Sequence, residues 1–154
     1  ARKGNSMTAR WMKIWIPTVC LSLAVSHGVQ ATDGEAAERI RLATEGAEVV
    51  IVLNDNAAAR DLLSMLPLTL EFDDYNHTEK IGYPPRKLTT GDAPTRCDPE
   101  AGSFTYYIPW GNLALFYRDF RPSANLAPLG TVESGLDGLV RLDGPFSARL
   151  ERMD

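Results

Sequence analysis

Chemically capable side chains are densest in Asp73-Asp74-x-x-His77-x-Glu79, where three carboxylates and an imidazole fall within seven positions. Oxygen and nitrogen donors at such spacing could hold a divalent metal. The same run also reads as a solvated turn between strands, and His77 is the last histidine of the chain. We therefore expect no metal. Cys97 and His77 could pair as nucleophile and base. The thiol, however, lies in a stretch rich in Pro and charge, with Arg96 alone to lower its pKa. A lone loop thiol is the better reading. No Gly-x-Ser-x-Gly elbow marks a serine hydrolase, and no glycine-rich loop offers to cradle phosphate. No cofactor is expected. Asn76-His77-Thr78 fits a glycosylation acceptor, which we treat as chance.

A second group is aromatic. In Tyr106–Phe120, YYIPWGNLALFYRDF, the residues Tyr107, Trp110, Phe116 and Tyr117 crowd around a Pro-Trp-Gly-Asn turn. Rings in this arrangement could line a cleft for an apolar or Pro-containing peptide, with Asn112 fixing a backbone amide. Alternatively, Leu115 and Phe116 take opposite faces of a core strand, and Trp110 covers a barrel end. For Phe116 the core is the expected place. For Trp110 and Asn112 both readings stand.

These residues need a frame. Val49–Leu53 is continuous and β-branched, predicting a strand buried on both faces. Asn54-Asp55-Asn56 can cap a helix over Ala57–Leu66, whose Ala58, Leu62, Leu63 and Leu66 recur at helical spacing before Pro67. From Leu68 the period becomes two, with Leu68, Leu70 and Phe72 on one face. Asp73–Thr78 predicts a turn and Lys80–Tyr83 a short strand. Thr89–Gly102 predicts a long exposed loop. Phe104–Ile108, Leu113–Tyr117, Leu129–Val132 and Phe146–Leu150 predict further strands, with a helical turn over Leu136–Leu142. Short strands with two brief helices predict a mainly β, barrel-like single domain.

At 154 residues the chain is about one domain long. Arg10 and Lys13 precede an apolar run from Ile14 to Val25, and Val29-Gln30-Ala31 follows. A basic head, an apolar middle and a small-residue triplet predict a secretory signal cleaved after Ala31, with residues 1–6 an over-long start before Met7. The apolar run is shorter than the roughly 20 residues that span a bilayer. Stable membrane insertion is therefore not expected, and the localisation implied is secreted or periplasmic. Without residues 1–31, twelve basic residues face twenty acidic ones, a net charge near −8. That argues against nucleic acid as a partner. Residues 32–46, polar and rich in Ala, predict a flexible lead-in with a turn or two of helix, and 47–154 the folded domain. Cys97 would then be the sole thiol, so the core must suffice without a disulfide.

The blocks LNDNAAARDLLSMLPLTLEFDDYNHTEKIGYPPRKL, PWGNLALFYRDF and LAPLGTVESGLDGL, in this order, resemble the bacterial cyclophilin-like fold proteins. The resemblance covers about Val49 to Leu150 and implies a closed eight-stranded β-barrel with a cleft on one face. It also implies that the stretch holding Tyr75, Lys80 and Tyr83 leads into that cleft. Lys80 would supply a positive group there, unless it is an exposed edge-strand lysine that discourages sheet pairing. Together with the aromatic hairpin, the binding set expected is Tyr75, Lys80, Tyr83, Tyr107, Trp110, Asn112 and Phe116, for a peptide or small apolar ligand. True cyclophilins are prolyl isomerases. Their Phe-Met-x-Gln-Gly-Gly and Ser-Gln-Phe-Phe runs are missing here, and Arg86 and Arg96 are the nearest candidates for the required arginine. Fold does not carry activity. A peptide- or ligand-binding module is the first reading, a divergent isomerase using Arg86 the second, and a scaffold without ligand the third.

Overall fold

A computed structural model describes residues 36–154. The expected signal segment and its expected cleavage point lie outside the described residues. Ten strands and two helices follow in the order β1 (Arg39–Ala43), β2 (Glu48–Leu53), α1 (Ala57–Met65), β3 (Leu68–Tyr75), β4 (Glu79–Gly82), β5 (Arg96–Cys97), β6 (Ser103–Tyr107), β7 (Asn112–Phe116), β8 (Ser123–Ala124), β9 (Leu126–Ser134), α2 (Leu136–Val140) and β10 (Phe146–Arg152). Eight of the strands form a closed antiparallel barrel, in the order β1-β10-β3-β4-β7-β6-β9-β2. The short β5 and β8 pair separately as a two-stranded ribbon.

Closure gives every barrel strand an inside and an outside, and the two-residue period sorts the side chains between them. Ile40 and Leu42, Val49 and Ile51, Leu70 and Phe72, Phe104 and Tyr106, and Leu113 and Leu115 all join one buried core. Val50 and Val52 are half-buried on the other face of β2. The strand expected to be buried on both faces thus has one inner and one partly covered outer face. A larger correction concerns β1. Residues expected to form a loose, partly helical lead-in instead pair with both β2 and β10. Arg39-Ile40-Arg41-Leu42 already alternates charged and apolar residues, and the Ala- and Glu-rich flanks obscured it.

The helices close opposite ends of the cylinder. α1 leaves the end of β2, where Leu53 faces Gly130 in the middle of β9. α2 leaves the end of β9, where Ser134 faces Val50 near the start of β2. The Asn56 side chain caps α1 by accepting from the Ala59 N–H at 3.0 Å, satisfying one of the free donors of the first turn. Ala58, Ala59, Leu62 and Leu63 of α1 and Leu139 of α2 enter the same core as the strands. The expected exposed loop over Thr89–Gly102 is more ordered than its composition suggests. Ala93 and Pro99 are buried, and the loop contributes β5.

One close approach fixes β4, the strand that carries part of the site. A Cβ on Gly82 would lie 2.8–2.9 Å from three atoms of the Phe72 ring. That ring is buried and stacked on Phe146 at 5.7 Å, so it has nowhere to go. Gly82→Ala should destabilise the fold by about 1–3 kcal/mol through overpacking. Thermal melting should show a drop of roughly 3–10 °C. Gly46→Ala, whose Cβ would meet Leu142 at an ordinary 3.5 Å, should leave the melting temperature nearly unchanged.

Candidate functional site

Strand β7 is buried at all five positions, and this burial has two sources. Leu113 and Leu115 point into the barrel core. Asn112, Ala114 and Phe116 point outward and form the floor of a cleft of about 390 Å³. On one side, register places Glu79 of β4 opposite Phe116, and Tyr75 of β3 opposite Glu79. On the other, Tyr107 of β6 faces Asn112, and Leu126 of β9 faces Tyr107. The far wall is Phe120, Arg121 and the ribbon residues Ser123 and Ala124. A volume of this size suits a small molecule or a short stretch of peptide.

The aromatic wall is built by the β6–β7 turn. Gly111 takes a positive φ of 74° and donates its N–H to the Tyr107 carbonyl at 2.9 Å, turning Trp110 outward. Trp110 stands half-exposed between Tyr75 and Tyr107 and meets each edge-to-face at 5.5 Å. Tyr75 comes from the Phe116 end of β7 and Trp110 from the Asn112 end, and their rings meet above the strand register that separates them. Phe116 is 2% exposed and packs on Phe120 at 5.9 Å. The core reading for Phe116 therefore holds in a modified form. Its ring is buried in a second apolar cluster with Ala114 and Leu126, outside the barrel and under the cleft.

Asn112 is the floor's most informative residue. It is 1% exposed, and its Nδ2 donates to the Leu113 carbonyl at 3.1 Å. That bond fixes which side of the amide is oxygen. Oδ1 is buried without a hydrogen-bond partner. A buried acceptor left in this state costs about 1–3 kcal/mol.

Glu79 is the residue that sequence reasoning did not place in the cleft. Its side chain shares the outer face with its cross-strand neighbours Tyr75 and Phe116, and all three line the cleft. Burial pushes its pKa up to about 7. Among the described residues no cationic nitrogen lies within 4.0 Å of it. The available sequence signal was phase: Glu79 falls one step out of register with the inward Lys80.

That same phase corrects the expectation for Lys80. It faces inward with Gly82 and is 3% exposed, neither in the cleft nor an exposed edge lysine. Its Nζ donates to the Leu142 carbonyl at 2.7 Å and meets Asp74 Oδ1 at 2.9 Å, sealing the α2 end of the barrel. Burial alone would raise the Asp74 pKa, but bonds from Tyr117 and Lys80 outweigh it and leave that carboxyl below its ordinary range. Asp74 therefore turns inward while Glu79 turns outward, and the acidic run does not converge. Among the described residues no group of three or more His, Cys, Asp or Glu is placed to hold a metal.

Two further candidates fall outside the cleft lining. Tyr83 is 54% exposed beyond the end of β4. Arg86 forms a two-pronged pair with Asp61 of α1, at 2.6 and 2.8 Å. This guanidinium, above all other causes, draws the Asp61 pKa down to about 2. Arg86 thus ties the loop after β4 to α1, and the arginine that lines the cleft is Arg121. Cys97 is half-buried in β5, and burial with Asp98 beside it pushes its thiol up to about 11, far from a ready thiolate.

Residues 42–151 match the model of the cyclophilin-like family. The chain belongs to that family. Its cleft lies on the outer face of the barrel, over β4, β7, β6 and β9. The solution structure of a hypothetical protein from Archaeoglobus fulgidus is similar to it, with a TM-score of 0.59 and 23% identity. The match covers 78% of this chain and 99% of that one, and it shows the shared fold. No curated protein matches the chain.

Glu79 makes the cleft sensitive to pH. Its folded pKa of about 7 lies above the unfolded value near 4.5, so the folded chain holds that proton more tightly. The contribution is most favourable below pH 4.5 and is lost as pH rises through 7. Glu79→Gln should therefore leave stability unchanged at pH 4 and raise it above pH 7. The gain should be on the order of 1 kcal/mol, after discounting for the solvent that the side chain still meets. Urea unfolding at the two pH values checks the difference, and equal effects at both would refute the assignment.

Proposed function

We propose that this cyclophilin-like barrel is a binding module whose outer cleft takes an extended peptide segment or an elongated, mostly apolar small ligand. The observation that carries this reading is the unpartnered Oδ1 of Asn112, buried in the cleft floor beside the Trp110 and Tyr107 rings. An N–H from an occupant would satisfy that oxygen, while the rings exclude water around it. Four steps along β7 separate Asn112 from Phe116, roughly 13 Å at the rise of a strand. An extended segment of about four residues would match that length. The formal net charge of −4 favours such occupants over nucleic acid. We further propose that the chain is exported, on the strength of the basic and apolar pattern in residues 7–31. Release of a product beginning at Thr32 would be read by mass spectrometry of the secreted protein.

A divergent prolyl isomerase is the second reading, and Arg121 is the observation that favours it. It lines the cleft with its guanidinium 4.9 Å from the Phe120 ring, whereas Arg86 is held by Asp61. A coupled assay on Xaa-Pro peptides separates the two. The isomerase reading requires a rate gain that disappears in Arg121→Ala and survives in Arg86→Ala.

For the binding reading, isotope-labelled protein titrated with neutral tetrapeptides should show shifts in the Asn112 side-chain amide and the Trp110 indole signals. Asn112→Leu should weaken the tightest binder by about 5- to 20-fold, the loss of one buried hydrogen bond. Trp110→Ala should weaken it further. A flat response at both probes across a broad panel would remove this reading and leave a scaffold.

A further inference from the structure

The cleft has two ends of different chemistry. At one end lies the Asn112 amide. At the other, register sets Glu79 between Tyr75 of β3 and Phe116 of β7, all three on the outer face. Of the cleft-lining residues, Glu79 and Arg121 are the charged ones. Arg121 rests against the Phe120 ring, and none of its nitrogens comes within 4.0 Å of Glu79. The β3–β4 turn adds only the neutral side chains of Asn76 and Thr78 to this part of the lining. A carboxylate is acceptor-only, and ring faces attract cations and repel anions. Both features select the same kind of group.

Resting on the binding reading, we infer that the Glu79 end of the cleft receives a primary ammonium group of the occupant, held by the carboxylate and flanked by the rings of Tyr75 and Phe116. Binding restores the charge partner that the carboxylate lacks among the described residues. A charge-assisted hydrogen bond in a part-dry site is stronger than a neutral one. The ammonium can come from a peptide N-terminus or from a lysine side chain. With the Asn112 end some 13 Å away along the strand, the occupant would carry its amine at one end and an amide N–H about four residues along.

Three tetrapeptides test this against the full chain: an acetylated neutral one, the same peptide with a free N-terminus, and the acetylated peptide with lysine at its first position. At pH 7.5 at least one cationic peptide should bind roughly tenfold tighter than the neutral one, and the tighter of the two identifies the source of the amine. At pH 5.5 the preference should fall to within about twofold as Glu79 takes up its proton. An effect of the amine alone would instead hold or grow, because the α-amine is more fully charged there. In the unmutated protein, saturation with the tighter peptide should lower the Glu79 carboxyl titration midpoint by about one pH unit, the linkage counterpart of tenfold selectivity. Glu79→Gln should bring the cationic and neutral affinities together. Equal binding of all three peptides overturns the amine assignment and leaves the cleft reading intact. A cationic preference without movement of the Glu79 midpoint also overturns it. Silence at Asn112 and Trp110 with every peptide overturns both.

Discussion

Closure of the sheet is the constraint from which the rest follows. An eight-stranded antiparallel cylinder leaves no free edge, so every strand residue must face either the filled interior or the exterior. The interior is occupied by Phe72, Phe104, Tyr106 and aliphatic side chains, and its ends are closed by α1 and by α2 with the Lys80–Asp74 pair. The cleft lies on the outside, and an outer face stays dry only where something else shields it from water. The loop bearing Phe120, with the β5–β8 ribbon, does this over β7. Asn112 and Phe116 are consequently buried even though they point away from the barrel.

The same constraint explains why neighbouring residues have such different surroundings. Glu79 and Lys80 are adjacent, yet one lines the cleft and the other anchors the barrel end. Asp74 and Tyr75 divide in the same manner. The lysine resides in a low-polarity interior with a carboxylate and a carbonyl to satisfy it, an arrangement that tolerates burial. The glutamate has no cationic partner within 4.0 Å among the described residues, and burial raises its proton affinity. One step along a strand separates a charge inside the barrel from one in the cleft.

Much of the fold was legible in the sequence. The alternation in Leu68–Phe72, the capped helix beginning at Ala57 and the three ordered blocks of family resemblance all led to the barrel that is seen. β1 was missed because a five-residue alternation between Ala-rich and acidic flanks is a weak signal beside its neighbours. The site was legible in part. Tyr75, Tyr107, Trp110, Asn112 and Phe116 do come together, since a turn flanked by rings marks a place where the chain folds over itself. Lys80, Tyr83 and Arg86 do not join them. Composition can say that a lysine stands beside a cleft, but only strand phase decides which way it points. For Arg86 the deciding partner, Asp61, lies 25 positions away. Glu79 was hidden for the converse reason, as an ordinary acidic residue whose character comes entirely from its cross-strand neighbours.

The ribbon of β5 and β8 pairs through two residues on each strand, Arg96 with Ala124 and Cys97 with Ser123. Detaching so small a unit takes far less free energy than unzipping the cylinder behind it. The cleft is therefore a jaw with one fixed and one yielding side: the floor keeps its spacing because the barrel does, while the opposite wall can give way. If the cleft binds as proposed, such a wall would accept occupants of unequal girth while the floor stayed strict about where their polar groups fall.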